Sequence, residues 1–208
     1  MYTLYWGPSS SSMAPHAALE ETGAKFDLKP AEITPGTPRD PEYLKLNPWG
    51  HMPTLVIEGK QAIYESAAIV MVLAERHPLA HLAPLHNEPA RPLYYQWMVF
   101  LTNTLQPAYL RWYYPDRGTT DAAGVDAVRD KAHQDLVRIW SKLDELLGKG
   151  PFLLGERFSG ADLMLHMLSS WRDPLPDILD RWANVKRCVE AVEARPAVQR
   201  MLKLNRPA

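Results

Sequence analysis

The stretch Asn47-Pro-Trp-Gly-His-Met-Pro-Thr-Leu55, followed by Glu65-Ser66, constrains the fold of this chain more than any other feature. Leu55, Val56 and Ile57 make an apolar run of strand length. Gly59-Lys60 supplies a tight turn, and the residues from Gln61 to Tyr64 read as the returning strand of a hairpin. Pro53 stands at the entrance to the first of these strands, where a sheet tolerates a residue without an N–H. Glu65-Ser66 opens a helix in which Ile69, Val72, Leu73 and the stem of Arg76 follow helical spacing. A helix N-terminus presents free N–H groups and the positive end of its dipole, so this acid-hydroxyl pair marks an anion site.

The rest of the chain divides into two textures that meet near residue 80. Tyr2 to Trp6 reads as a strand, Met13 to Gly23 as a helix closed by a glycine, and Phe26 to Ile33 as a second strand. Pro35, Pro38 and Pro41 interrupt the next loop, and Pro41 suits the first position of a short helix through Leu46. The order is β-α-β-α-β-β-α over residues 1–78. Residues 79–92, flanked and broken by Pro78, Pro84, Pro89 and Pro92, read as a linker. Residues 93–208 carry no strand signal. Leu93 to Tyr113 is a long aromatic-rich helix, expected to bend at Pro107. From Val125 the apolar residues Val128, Ala132, Leu136, Ile139, Leu143 and Leu146 keep a helical period. Leu163 to Leu168 is apolar nearly all round, which predicts a central, buried helix. Two further helices fit 178–194 and 196–204. Phe158-Ser159-Gly-Ala-Asp162-Leu163 combines a hydroxyl at the N-cap, an acid three residues on and flanking apolar residues, a capping box with a hydrophobic staple. Its expected role is stability, not catalysis.

Composition removes several classes of function. Hydrophobic residues are 46% and charged residues 23%, ordinary for a globular chain. The net charge of −1 gives no general attraction to nucleic acid or to anionic membranes. No apolar run approaches a membrane span, and no signal peptide is visible. Cys188 is the only cysteine, so an intrachain disulfide, a Cys-x-x-Cys redox pair and a cysteine zinc site are excluded and no metal is expected. A reducing cytoplasm is the expected location.

The Asn-Pro-x-Gly-x-x-Pro pattern with Glu-Ser behind it resembles the glutathione site of the cytosolic glutathione transferases, and the two-texture organisation extends the likeness over essentially the whole chain. The resemblance implies an α/β thioredoxin-like N-terminal domain followed by an all-α helical C-terminal domain. It implies a cis bond before Pro53 and pairing of the Met52 backbone with the cysteinyl unit of glutathione. It also implies that Glu65 and Ser66 hold the γ-glutamyl end, and that Ser12 and His51 belong to the same glutathione-binding set. A homodimer is expected from the family.

Glutathione transferases turn the glutathione thiol into a thiolate at neutral pH. Lowering a thiol pKa from roughly 8.5 by about two units takes roughly 2.7 kcal/mol of preferential thiolate stabilisation. A hydroxyl donor at a helix N-terminus supplies this. Gly7-Pro8-Ser9-Ser10-Ser11-Ser12 lies between the first strand and first helix, where that donor belongs. The following Met13-Ala14-Pro15-His16 and Glu20-Glu21-Thr22-Gly23 look like the bacterial beta class, whose cysteine and serine fall on Ser11 and Ser12. The zeta-class Ser-Ser-Cys signature falls on Ser9, Ser10 and Ser11, and the delta-type serine on Ser10. Ser11 is the favoured catalytic hydroxyl, with Ser10 close behind, and Ser11 or Ser12 is the expected N-cap. Tyr5 has the tyrosine of the tyrosine-type classes as its alternative role, but its place within a strand favours packing.

Two departures matter. Serine at position 11 cannot form the mixed disulfide that the beta-class cysteine forms. The beta-class histidine of the long helix is matched by Gln106. Tyr109, Trp112, Tyr113 and Trp171 are the expected lining of a hydrophobic acceptor pocket between the two domains, with core packing the competing role for each. Arg39 reads as a solvated loop charge, with the glycine carboxylate of glutathione as its alternative role. His77, His81 and His86 read as surface residues without a metal-ligand pattern. His16 follows Ser12 by four, but no nucleophile elbow surrounds the pair. The resulting expectation is conjugation of glutathione to a small hydrophobic electrophile. The alternatives are a glutathione-dependent isomerase or disulfide reductase, and a non-catalytic binding or regulatory protein with this fold.

Overall fold

The computed structural model describes residues 1–31, 39–148 and 150–205. These form two compact units, Met1–Arg91 with Val192–Ala208, and Pro92–Ala191. Ile33, Pro35 and Pro38, on which the end of the second strand and the proline-broken loop were expected, lie outside the described residues.

The first unit begins β1 (Tyr2–Trp6), α1 (Met13–Thr22), β2 (Phe26–Pro30) and α2 (Pro41–Leu46). It continues β3 (Thr54–Ile57), β4 (Gln61–Tyr64) and α3 (Ser66–Arg76). The four strands lie in the order β2-β1-β3-β4. β1 is parallel to β2 and antiparallel to β3, and β3–β4 is the hairpin expected from Gly59. Gly23 closes α1 with φ 64°, a left-handed conformation open to glycine at no steric cost. Asp40 caps α2 by accepting from the Glu42 N–H, and Pro41 takes the first helical position, where no donor is lost. Leu4, Leu19, Leu55, Ile69, Val70 and Leu73 are fully buried and tie sheet to helices. His77 departs from a surface role, since its Nε2 lies 2.8 Å from the Tyr2 hydroxyl. His81 and His86 are exposed.

The last helix belongs here too. α10 (Pro196–Asn205) packs on α1, so the sequence-based domain 93–208 gives up its C-terminal end to the first unit. Arg195 makes a two-pronged pair with Glu21, and Arg200 pairs with Glu20. Bidentate guanidinium–carboxylate geometry fixes direction as well as distance.

The second unit is helical. The expected continuous helix is α4 (Arg91–Phe100) and α5 (Gln106–Tyr113), separated by a π-helical turn over Leu101–Leu105. Pro107 has no N–H and its ring clashes with the carbonyl four residues back, and the widened turn ahead of it accommodates both. α6 (Val125–Leu147) buries Ala132, Leu136, Ile139, Trp140 and Leu143. Every residue of α7 (Gly160–Ser169) is buried, as the nearly all-round apolar run from Leu163 to Leu168 predicts. The capping box is present: Ser159 Oγ accepts from the Ala161 N–H, and Asp162 accepts from the Ser159 N–H at 2.8 Å. Asp162 also accepts from the Leu153 N–H at 2.7 Å. The expected helix over 178–194 is split into α8 (Ile178–Arg181) and α9 (Ala183–Glu193). Asp144 of α6 accepts from the N–H groups of Asn184 and Val185, starting α9 with a cap from a distant element. Among the described residues no helix is long and apolar enough to cross a membrane, and no cluster of His, Cys, Asp or Glu has metal-binding form.

Candidate active site

Strand register gathers the motifs. Tyr5 of β1 pairs with Thr54 of β3, and Thr54 pairs with Tyr64 of β4. The chain leaving β1 at Gly7, the chain entering β3 through Met52-Pro53, and the Glu65-Ser66 start of α3 therefore meet at one end of the sheet. Two hydrogen bonds join them. Ser66 Oγ donates to the Ser11 carbonyl at 2.7 Å, and Ser11 Oγ donates to the Met52 carbonyl at 3.4 Å. The approach of the first loop to Met52 is close, because a Cβ on Gly7 would stand 2.8 Å from the Met52 methyl.

The four serines have different partners. Ser12 is fully buried, and its Oγ donates to the Gly7 carbonyl and accepts from the Gly7 N–H. It occupies the N-cap of α1 without capping through its side chain. Ser10 Oγ donates to the Gly7 carbonyl at 2.7 Å and meets Ser12 Oγ at 2.8 Å. Ser9 Oγ donates to the Asn205 carbonyl. Ser11 is the serine whose hydroxyl reaches the Met52–Pro53 segment.

Met52–Pro53 is a cis peptide bond. The loop before it is held from behind. The Tyr43 hydroxyl and Asn47 Nδ2 both donate to the His51 carbonyl, and both also meet Thr54 Oγ1. Asn47 Oδ1 accepts from the Trp49 N–H, and its carbonyl from the Gly50 N–H. Burial pushes the Tyr43 phenol up from its ordinary pKa, so it stays a donor. Sequence reasoning placed Asn47 in the motif but missed this anchoring. The signal is an asparagine ending a helix ahead of a turn, where its side chain can close an Asx turn. His51 is exposed and takes part through its carbonyl. Arg39 is not a solvated charge: it is half-buried, and its Nε donates to the Gly50 carbonyl at 3.0 Å. Tyr5 packs its ring 5.3 Å from that of Tyr43.

Glu65 is exposed and adopts φ 72° and ψ 116°, outside the usual range for a side-chain-bearing residue. Its side chain does not cap α3. Ser66 is buried with its hydroxyl committed to Ser11, which leaves its backbone N–H, in the first turn of α3, as the group it can offer an anion.

In the second unit Tyr109, Tyr113 and Trp171 form an aromatic group, with ring centroids 5.6–6.3 Å apart. Tyr109 is fully buried and its hydroxyl accepts from Trp140 Nε1 at 3.0 Å. It stands beneath the group as a core side chain rather than as lining. Tyr113 is 39% exposed. Its hydroxyl donates to the Asp173 carbonyl, and Trp112 Nε1 donates to the Asp173 carboxylate. Both residues are thus oriented by one loop residue.

Comparisons with known proteins agree with this fold. The model of the glutathione S-transferase N-terminal domain matches residues 1–75, and that of the C-terminal domain matches residues 104–204. Glutathione S-transferase 1 of Dianthus caryophyllus is 32% identical over 163 residues, covering 76% of this chain and 70% of that protein. Maleylacetoacetate isomerase of Pseudomonas aeruginosa is 26% identical over 220 residues, covering 100% of this chain and 97% of that protein. Among solved structures, the ternary complex of BphK, a bacterial GST, superimposes with a TM-score of 0.84 at 27% identity, covering 98% of each chain. A four-stranded sheet with the cis proline at its third strand, the Glu-Ser helix start and a helical second unit, matched by both domain models, make this chain a member of the glutathione S-transferase enzyme family.

Proposed function

We propose that this protein binds glutathione at the end of the sheet where Ser11, Met52 and Glu65-Ser66 meet, and conjugates its thiolate to a small hydrophobic electrophile. The observation that carries the reading is the convergence of Ser11 Oγ on the Met52 carbonyl. The cysteinyl unit of glutathione pairs with the Met52 backbone. Its sulfur then lies beside Ser11, and the hydroxyl turns from the carbonyl to donate to the thiolate. A charge-assisted hydrogen bond is stronger than the neutral one it replaces. The exposed Glu65 carboxylate takes the ammonium of the γ-glutamyl end, and the first N–H groups of α3 take its carboxylate. Ser10 and Ser12, committed to Gly7, hold the loop shape.

Trp112 and Tyr113 offer the electrophile an aromatic surface, and Trp171, just beyond the end of α7, packs its ring against Tyr113. Conjugation of apolar electrophiles is detoxification chemistry, in the cytoplasm and in a homodimer. The likeness to an isomerase over the whole chain favours one second reading, in which glutathione adds to a substrate and leaves again after a double bond has turned.

Thermal-shift titration with glutathione, followed by turnover on a panel of aryl halides, epoxides, enals and a cis-enone diacid, tests both readings. A melting temperature that rises with glutathione, as binding to the folded state alone requires, with consumption of an aryl halide, epoxide or enal, supports the transferase. Turnover of the cis-enone diacid without net glutathione consumption supports the isomerase. No shift at millimolar glutathione overturns both.

A further inference from the structure

The last helical residue, Asn205, is fully buried and makes two different connections to the serine loop and to α1. Its backbone carbonyl accepts from Ser9 Oγ at 3.2 Å. Carbonyls in the last turn of a helix have no donor within the helix, so a loop far away in sequence satisfies this one. Its side-chain Nδ2 meets His16 Nδ1 at 3.2 Å and donates to the Met201 carbonyl at 3.0 Å. Burial holds His16 neutral, with its pKa pushed down to about 4, so Nδ1 is free to accept. His16 lies in the first turns of α1, and its N–H donates to the Ser12 carbonyl.

Ser9 needs such a hold. Its φ is 52°, the left-handed region that a side-chain-bearing residue adopts only when its surroundings impose it. That turn directs the chain from Pro8 into Ser10 and Ser11. Ser11 is then fixed on its other side by Ser66. The turn is therefore pinned on one flank by α3 and on the other by the end of α10.

We propose that Asn205 is a positioning residue for thiol activation. By fixing the Ser9 turn against the start of α1, it sets where the Ser11 hydroxyl and the α1 N-terminus face the sulfur. This rests on the reading of Ser11 given above. Nothing in α10 touches the thiol; its end determines the loop that does.

The test measures the pKa of enzyme-bound glutathione by ultraviolet titration of the thiolate, the glutathione Kd and the melting temperature. The proteins are wild type, Ser11→Ala, Asn205→Ala, Ser9→Ala, the double variant Ser11→Ala/Asn205→Ala, and Leu202→Ala as a control for loosening α10. Ser9 is exposed, so Ser9→Ala folds even if Asn205→Ala does not. Asn205→Ala and Ser9→Ala should each raise the bound thiol pKa by about one unit, which is about a tenfold loss of thiolate well below the pKa. The Kd should stay within about twofold, and kcat/KM should recover at alkaline pH. Asn205→Ala should add less than its own shift to Ser11→Ala, since only the part that acts through α1 remains, and Leu202→Ala should lower the melting temperature without moving the pKa. If Asn205→Ala and Ser9→Ala leave the pKa unchanged while Ser11→Ala raises it, the positioning role is overturned and the Ser11 reading stands. If the two shift it and Ser11→Ala does not, the Ser11 reading falls and the positioning acts through α1 alone. A pKa shift in Leu202→Ala equal to that in Asn205→Ala overturns the specific role, and unshifted values in all variants overturn both.

Discussion

The Ser66 hydroxyl donates to the Ser11 carbonyl at 2.7 Å, so the residue that opens α3 also sets the backbone of the serine loop. Two motifs that lie far apart in sequence are thereby one unit of structure. On the proposed reading, the Glu-Ser pair takes the charge of glutathione and, through Ser66, sets the hydroxyl that meets its sulfur.

The serines should separate by function. Ser11→Ala raises the pKa of bound glutathione by one to two units, each unit corresponding to about 1.4 kcal/mol of lost thiolate preference, with affinity nearly unchanged. Ser10→Ala and Ser12→Ala lose stability, about 1 kcal/mol for each hydrogen bond to Gly7 removed, and shift the thiol little. Ultraviolet titration and thermal melts on the three variants check this. A larger thiol shift in Ser10→Ala than in Ser11→Ala contradicts the assignment.

Glu65→Ala should weaken glutathione binding by roughly 1.5–3 kcal/mol, the scale of a hydrogen bond to a charged group. The exposed carboxylate leaves no buried partner stranded, so the melting temperature without ligand should barely change. Isothermal titration gives the first quantity and a thermal melt the second. An unchanged Kd would remove Glu65 from the site.

Asp162→Ala should cost at least about 3 kcal/mol. Losing a helix cap costs about 0.5–2 kcal/mol, and each buried donor left unpaired adds about 1–3 kcal/mol. The Leu153 N–H, the Ser159 N–H and the Ser159 hydroxyl all depend on this carboxylate. Turnover per folded molecule should be unaffected, which urea unfolding and activity corrected for folded fraction test together. A stable but inactive variant would assign Asp162 to chemistry.

His16 makes stability depend on pH. Its Nε2 faces Glu20 at 3.9 Å, Asn205 faces Nδ1, and the rings of Trp6 and Phe26 flank it. Burial lowers its pKa from 6.5 to about 4 despite Glu20. The unfolded chain therefore binds the proton first. The His16 contribution is complete above pH 6.5 and is lost as pH falls towards 4, reaching roughly 3 kcal/mol. Burial of Asp162 raises its pKa from 3.8 to about 6, which works in the opposite direction over much of this window. The difference between wild type and His16→Gln in urea unfolding at successive pH values isolates the histidine. A difference that does not change between pH 7 and pH 4.5 would contradict it.

The sequence by itself determined what depends on near neighbours. Tyr2–Trp6, the β3–β4 hairpin, the Gly23 stop, the Pro41 start and the Ser159–Asp162 box follow from local backbone rules, and each is where those rules put it. Tertiary structure decided what depends on partners far along the chain. Periodicity could not show that Asp144 restarts a helix at Ala183, or that α10 joins the first unit through Glu20, Glu21 and His16. Nor could it show that Tyr109 lies wholly within the core. Four consecutive serines are chemically alike, and in sequence none is distinguished. Gly7 claims the hydroxyls of Ser10 and Ser12, Asn205 claims that of Ser9, and Ser11 alone of the four reaches Met52. A hydroxyl donates one hydrogen, so where it points is settled by the acceptor that folding brings beside it.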